Sequence, residues 1–87
     1  MKKEKTEVSS VNSKEAETYY NNGIAKYDLK NYKEAILDYD MVIELNPEFA
    51  LAYYNRGSAR HNIKNYIGAV LDYNKAIKLD PDLKNLN

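Results

Sequence analysis

His61 is the one imidazole in this 87-residue sequence, and there is no cysteine. Imidazole is the commonest proton carrier in catalysis and the thiolate a strong nucleophile, so their supply limits the reactions a chain can run. One histidine builds neither a metal site of several imidazoles nor a Cys–His pair, and a lone histidine on a polar helix face reads as a surface residue. The carboxylate pairs Asp38 with Asp40 and Asp80 with Asp82 lack the loop of alternating oxygen ligands that a hard cation needs; they read as solvated helix faces and ends. Three glycines, at 23, 57 and 68, make no phosphate-cradling loop. These residues point away from an enzyme and call for no metal or cofactor. What remains is recognition: nine tyrosines supply rigid amphipathic area, and asparagine amides can donate and accept at once.

Charge and hydropathy narrow the partner. Thirteen basic and thirteen acidic side chains cancel, whereas a chain that neutralises phosphates carries a basic excess or stripe, so nucleic acid is not expected. No apolar run approaches the roughly 20 residues of a membrane span. The opening MKKEKTEVSSVNS has lysines but no apolar stretch behind them, so no export signal is read. With the lack of cysteine, this suits a reducing compartment, and a cytoplasmic location is expected. Residues 1–12 read as a flexible, solvated polar tail.

The elements that position the tyrosines are written twice. YYNNGIAKYDLKNYKEAILDYD at 19–40 returns as YYNRGSARHNIKNYIGAVLDYN at 53–74, and 16 of 34 aligned positions are identical without an insertion. A fixed period of this length marks a solenoid unit that buries its apolar face only against a neighbour. Within each unit two helical stripes are legible. Ala16, Tyr19, Tyr20, Gly23, Ile24 and Tyr27 step by three and four, as do Ala50, Tyr53, Tyr54 and Gly57; these are the A helices. Tyr32, Ala35, Ile36, Tyr39, Val42 and Ile43, echoed by Tyr66, Ala69, Val70, Tyr73, Ala76 and Ile77, are the B helices.

The punctuation agrees. Asn31 with Glu34 predicts a reciprocal capping box for the first B helix; Asn65 faces Gly68 and loses half of it, so the second is expected to fray more. Asn46-Pro47-Glu48 predicts a helix start capped by Asn46, and Asp80-Pro81-Asp82 predicts another that soon stops, leaving 84–87 as the truncated start of a further helix. Glycine inside a helix costs about 1 kcal/mol relative to alanine. The recurrence of Gly23 at Gly57 therefore calls for close packing, with Ala35 and Ala69 as the facing small residues and Tyr39 and Tyr73 alongside.

The period, the Gly23–Ala35 pair, the aromatics Tyr19, Tyr32 and Tyr39 and the closing Pro47, all repeated in the second copy, resemble the tetratricopeptide repeat family over residues 16–83. The resemblance implies an all-α solenoid. Two helix–turn–helix units, 16–49 and 50–83 within a domain of 13–83, would form about four helices in a right-handed superhelix with a short C-terminal helical stub. The family departs here at Lys30 and Lys64, where the A-to-B turn often has glycine and where Asn31 and Asn65 could take the left-handed geometry. It departs also at Lys26 and Arg60, which replace a usual aromatic.

The resemblance further implies a concave groove that binds a peptide or helix of a partner protein. Its lining would be Glu17, Tyr20, Asn21, Ile24, Tyr27 and Asp28 from the first A helix and Leu51, Tyr54, Asn55, Ser58, His61 and Asn62 from the second. A subset of the family clamps acidic C-terminal chaperone tails with Lys, Asn and Arg. The matching positions here hold Tyr20, Ile24 and Leu51, and only Asn55 fits, so a more apolar or aromatic peptide is expected. Tyr19, Tyr32, Tyr39, Tyr53, Tyr66 and Tyr73 are assigned to the core on general burial trends.

The leading functional reading is a non-catalytic protein-binding scaffold or adaptor. A second is self-assembly. Two repeats without a polar capping helix leave an apolar end, here assigned to Tyr73, Ile77, Leu79, Leu83 and Leu86, that a homodimer or head-to-tail stack would cover. A third is that the chain is an excerpt of a longer repeat array.

Overall fold

The computed structural model describes the backbone of residues 2–86 and the side chains of residues 13–85. Its elements are α1 (Lys2–Asp28), α2 (Tyr32–Leu45), α3 (Ala50–Asn62), α4 (Tyr66–Leu79) and a 3-10 turn over Pro81–Leu86. The side chains of the expected polar tail, 1–12, and of Leu86 lie outside the described residues. Helices α1 with α2 and α3 with α4 pack as pairs, α2 joins the pairs by packing on α3, and α1 meets α3 over a smaller area. This is the all-α, helix–turn–helix arrangement the 34-residue period implies.

Both A-to-B turns are built alike. At the end of α1, Lys30 N donates to the Tyr27 carbonyl at 2.8 Å and Asn31 N to the Lys26 carbonyl at 2.8 Å. At the end of α3, Lys64 N donates to His61 at 3.0 Å and Asn65 N to Arg60 at 2.8 Å. These paired bonds close a Schellman motif, whose penultimate residue must be left-handed. That residue is lysine in both copies, with φ of 66° at Lys30 and 69° at Lys64. The asparagines expected to take this geometry have negative φ instead.

Capping runs opposite to expectation. The Asn31 side chain makes no cap bond, whereas Asn65 Oδ1 accepts from Gly68 N at 3.1 Å. The cause is steric: a Cβ on residue 68 would stand 2.7 Å from Asn65 Nδ2, so the amide can lie over the helix end only because residue 68 is glycine. Nor does Asn46 start α3. It ends α2, and its Oδ1 accepts from Glu48 N at 3.1 Å, closing an Asx turn that carries Pro47 and Glu48 before the helix begins at Ala50. Asp80 repeats the device with Asp82 N at 3.2 Å.

Two apolar clusters form the core. Ala16, Val42 and Ala52 are enclosed by Tyr19, Tyr20, Ile43, Leu45 and Phe49; Tyr53, Ala76 and Leu83 are enclosed by Ile43, Ala50, Tyr54, Ile77 and Leu79. Ile43 belongs to both and welds the repeats together. Gly23 makes room for the Tyr39 ring expected alongside it: a Cβ there would lie 2.6 Å from Tyr39 Cε1, and Tyr39 is fully buried. At Gly57 the expected small partner is present, since a Cβ would stand 3.2 Å from the Ala69 carbonyl oxygen and 3.1 Å from Tyr73 Cε1.

Of the six tyrosines assigned to the core, Tyr39 and Tyr53 are buried, Tyr19, Tyr32 and Tyr73 half-buried, and Tyr66 is 53% exposed. The apolar end also lies elsewhere than expected. The 3-10 turn folds Leu83 back onto Tyr53 and Ala76, with Ile77 and Leu79 packed around it. At this end of the stack exposed apolar surface is carried instead by the first half of α4, at Tyr66, Ile67, Val70 and Leu71, which line an open groove of about 310 Å³.

Candidate partner-binding face

Tyr20 and Tyr27 stand seven residues apart on α1, two turns of one face; Asn55 and Asn62 stand seven apart on α3. Asn55 Nδ2 donates to Tyr20 Oη at 2.9 Å, and Asn62 Nδ2 donates to Tyr27 Oη at 3.0 Å and to the Ser58 carbonyl at 2.9 Å. Both cross-repeat bonds join residue i to residue i+35, so α1 and α3 run side by side in one direction with their polar tips tied. The Tyr20 ring lies 4.9 Å from Phe49 and 6.1 Å from Tyr39, and Tyr27 meets Tyr32 edge-on at 5.2 Å. In the second repeat Tyr54 tilts against Tyr73 at 5.1 Å, Ser58 Oγ and Tyr73 Oη share a hydrogen bond of 2.9 Å, and His61 meets Tyr66 edge-on at 5.1 Å.

The structure therefore brings together Tyr20 with Asn55, and Tyr27 with Asn62. Ile24, Tyr54, Asn55 and Ser58 are half-buried, while Glu17, Asn21, Asp28, Leu51, His61 and Asn62 are exposed on the same two helices. Burial pushes the Tyr20 phenol above its ordinary value, and the Asn55 bond pulls partly against it. Burial, aided by the charges of Tyr20, Tyr27, Asp28 and Asp38, pushes Tyr39 up much further. Neither hydroxyl is an acid or base at neutral pH; that of Tyr20 is held in place as the acceptor of the Asn55 bond.

Behind this face lies an ion-pair network that sequence reasoning missed. Asp72 accepts from Arg56 Nε at 2.9 Å and Nη2 at 2.8 Å, and from Arg60 Nη1 at 2.8 Å, while Arg56 Nη1 reaches Asp40 at 2.8 Å. The Arg56 guanidinium also lies 5.7 Å from the centre of the Tyr53 ring. Its burial favours the neutral form, but the bonds and charges of Asp72 and Asp40 outweigh that and hold it above its ordinary value.

In the first repeat Lys26 Nζ lies 2.8 Å from Asp38 Oδ2, yet off the line a hydrogen bond requires, which leaves that buried oxygen without a hydrogen-bond partner. Asp38, read as solvated, is in fact buried, and so is its counterpart Asp72. The available signal was that they recur 34 apart opposite Lys26 and Arg60, which recur likewise in place of an aromatic: an aromatic replaced by a cation needs a carboxylate nearby.

The geometry of two stacked helical hairpins is matched in sequence by the tetratricopeptide repeat model, once over residues 16–49 and again over 50–83. The chain belongs to the tetratricopeptide repeat family. No curated protein matches it in sequence. Tetratricopeptide repeats are in general modules for protein–protein interaction and are typically non-catalytic. Among the described residues no three His, Asp or Glu side chains converge as metal ligands, and no helix is long and apolar enough to cross a membrane.

Proposed function

We propose that this pair of tetratricopeptide repeats is a cytoplasmic adaptor that holds an extended, apolar or aromatic peptide of a partner protein along α1 and α3, without catalysis. The observation that carries the reading is the pair of Tyr–Asn bonds, Tyr20 to Asn55 and Tyr27 to Asn62, which fix two aromatic rings before a ligand arrives. Fixing a ring in advance lowers the entropic cost of binding, and tyrosine anchors carry a disproportionate share of interface energy. Half-buried Ile24 and Tyr54 extend the apolar line, and exposed Asn21 offers an amide to a peptide backbone. An acidic tail is disfavoured by Glu17 and Asp28 and by the lack of the clamp lysines at Tyr20 and Leu51.

The test is selection of peptides from a random library on the intact protein, followed by titration of a recovered peptide against variants. Tyr27→Ala and Asn55→Ala should each weaken binding about 5- to 30-fold, the range of one to two kcal/mol for an anchor or its support, with helicity retained. Equal affinity for both variants and the parent would overturn the reading.

A further inference from the structure

We infer that copies of this chain stack head to tail, the exposed face of α1 in one copy docking on the exposed face of α4 in the preceding copy. The inference goes beyond the peptide-binding reading, since it uses the two ends of the stack and not the α1–α3 face.

Its ground is that the protein already contains one such joint. Helix α3 turns the stripe Ala52, Arg56, Ala59 inward: Ala52 packs with Ala16 and Val42, Arg56 pairs with Asp40, and Ala52 and Ala59 are fully buried, while Ile63 just past the helix is 36% exposed. The same stripe one period earlier is Thr18, Asn22 and Ala25 on α1, followed by Leu29 in the turn after it, and there all four are exposed, Leu29 to 71%. Thr18 and Asn22 lie in the wall of an open groove of about 420 Å³. At the other end the receiving surface is exposed in the same way. Tyr32 and Ile36 of α2 are half-buried, whereas their counterparts Tyr66 and Val70 on α4 are 53% and 56% exposed. Each end is one half of an interface whose other half the chain also carries.

The polar pairs change together between the two joints. Inside the chain Asp40 meets Arg56; one period on, the pair is Asn74 of one copy with Asn22 of the next, two neutral amides that can bond each other and leave no charge unpaired. Inside the chain Asn62 bonds Tyr27; between copies the pair is His61 with Asp28, again a donor facing an acceptor. Had only one of the two positions been exchanged, the joint between copies would hold a charge without its counter-charge. Leu83 occupies the seat that Phe49 fills inside the chain and can stay there, while exposed Lys84 and Asn85 stand where Ala16 and Glu17 of the incoming α1 would lie and must move aside. Ile67 and Leu71 are left uncovered, as Leu37, the counterpart of Leu71, is within the chain. A heterologous contact of this kind closes no ring by itself and continues beyond two copies.

The experiment is molar mass by light scattering from micromolar to millimolar protein, with helicity recorded on the same samples. The parent chain should grow past the dimer as concentration rises. Leu29→Glu blocks one face and Val70→Glu the other, and since both sites are exposed each variant should keep its helicity and run as a monomer. Mixed one to one, they should form a species of twice the monomer mass and nothing larger. Should Leu29→Glu lose helicity, Ala25→Arg takes its place. Tyr27→Ala should leave association unchanged whether or not it abolishes peptide binding. Three results overturn the inference: a parent that stays monomeric throughout, a Leu29→Glu chain that still associates, as a two-fold contact of α4 with α4 would, or a mixture that stays monomeric.

Discussion

Asp38 and Asp72 occupy one position in consecutive repeats, so replacing each by alanine isolates what their surroundings add. Removing Asp72 strands two guanidiniums, Arg56 with 16% and Arg60 with 26% of its side chain exposed, and leaves Arg56 only the half-exposed Asp40. Breaking a buried pair costs roughly 3–5 kcal/mol. The water that still reaches both arginines, and the surviving Asp40 bond, reduce this to about 2–3 kcal/mol. Removing Asp38 frees a lysine whose side chain is already 41% exposed and deletes an oxygen that has no hydrogen-bond partner, so the loss should be about 1 kcal/mol or less. The gain in helix propensity on going from Asp to Ala is common to both and cancels. Urea unfolding followed by helicity resolves the difference. At about 1 kcal/mol per molar urea, the low end for small domains, the midpoint should fall by about 2 M or more for Asp72→Ala and by about 1 M or less for Asp38→Ala. Equal shifts, or a larger one for Asp38→Ala, would refute the view that desolvation of the arginines sets the cost.

Lys30→Gly and Lys64→Gly should each stabilise. Relief of about 1–2 kcal/mol of left-handed strain exceeds the roughly 0.4–1 kcal/mol of added unfolded-state entropy, and a melting temperature that fails to rise for the double variant would count against the Schellman assignment. Gly23→Ala should lose about 1–3 kcal/mol through overpacking on the Tyr39 ring, whereas Gly57→Ala, with wider clearance, should stay within about 1 kcal/mol of the parent; thermal melts that rank the two the other way would contradict the packing. The Tyr39 phenol is held above its ordinary value near 10, so its contribution to stability is full below that pH and is lost as pH climbs above it. Helicity and phenolate absorbance should therefore show alkaline unfolding beginning above about pH 10, and Tyr39→Phe should delay it; an onset unchanged in that variant would assign the effect elsewhere.

The repeat, the helix pairs and the places of the turns were legible because each is written twice at a fixed distance and by residues whose effect is local. Legibility ended where one residue's role depends on what another leaves empty. Asn65 caps α4 because Gly68 makes room, and Asn31 does not cap α2 although its sequence context is the better one on paper. Lys30 and Lys64 accept a conformation the local sequence disfavours because the two Schellman bonds demand it. The candidate face was legible as a set of positions, yet the pairing of Tyr20 with Asn55 and Tyr27 with Asn62 depends on how two helices 35 residues apart are aligned, which neither stripe contains alone. Leu83 was expected at an open end and is buried, since a 3-10 turn reverses the chain where a straight helix would have carried it outward.

Arg56 is held by a carboxylate of its own repeat and by one of the repeat before. In a one-dimensional array, the strength of coupling between neighbours relative to the stability of each unit decides whether the units melt separately. Unfolding the first repeat alone takes Asp40 from Arg56 and uncovers Ile43, which serves both apolar clusters; unfolding the second alone leaves Asp40 and the Tyr20 and Tyr27 hydroxyls without their bonds. Half-folded states are thus penalised from either side. Amide hydrogen exchange should find the middle helices α2 and α3 opening with one common free energy, making this pair of repeats a single cooperative unit.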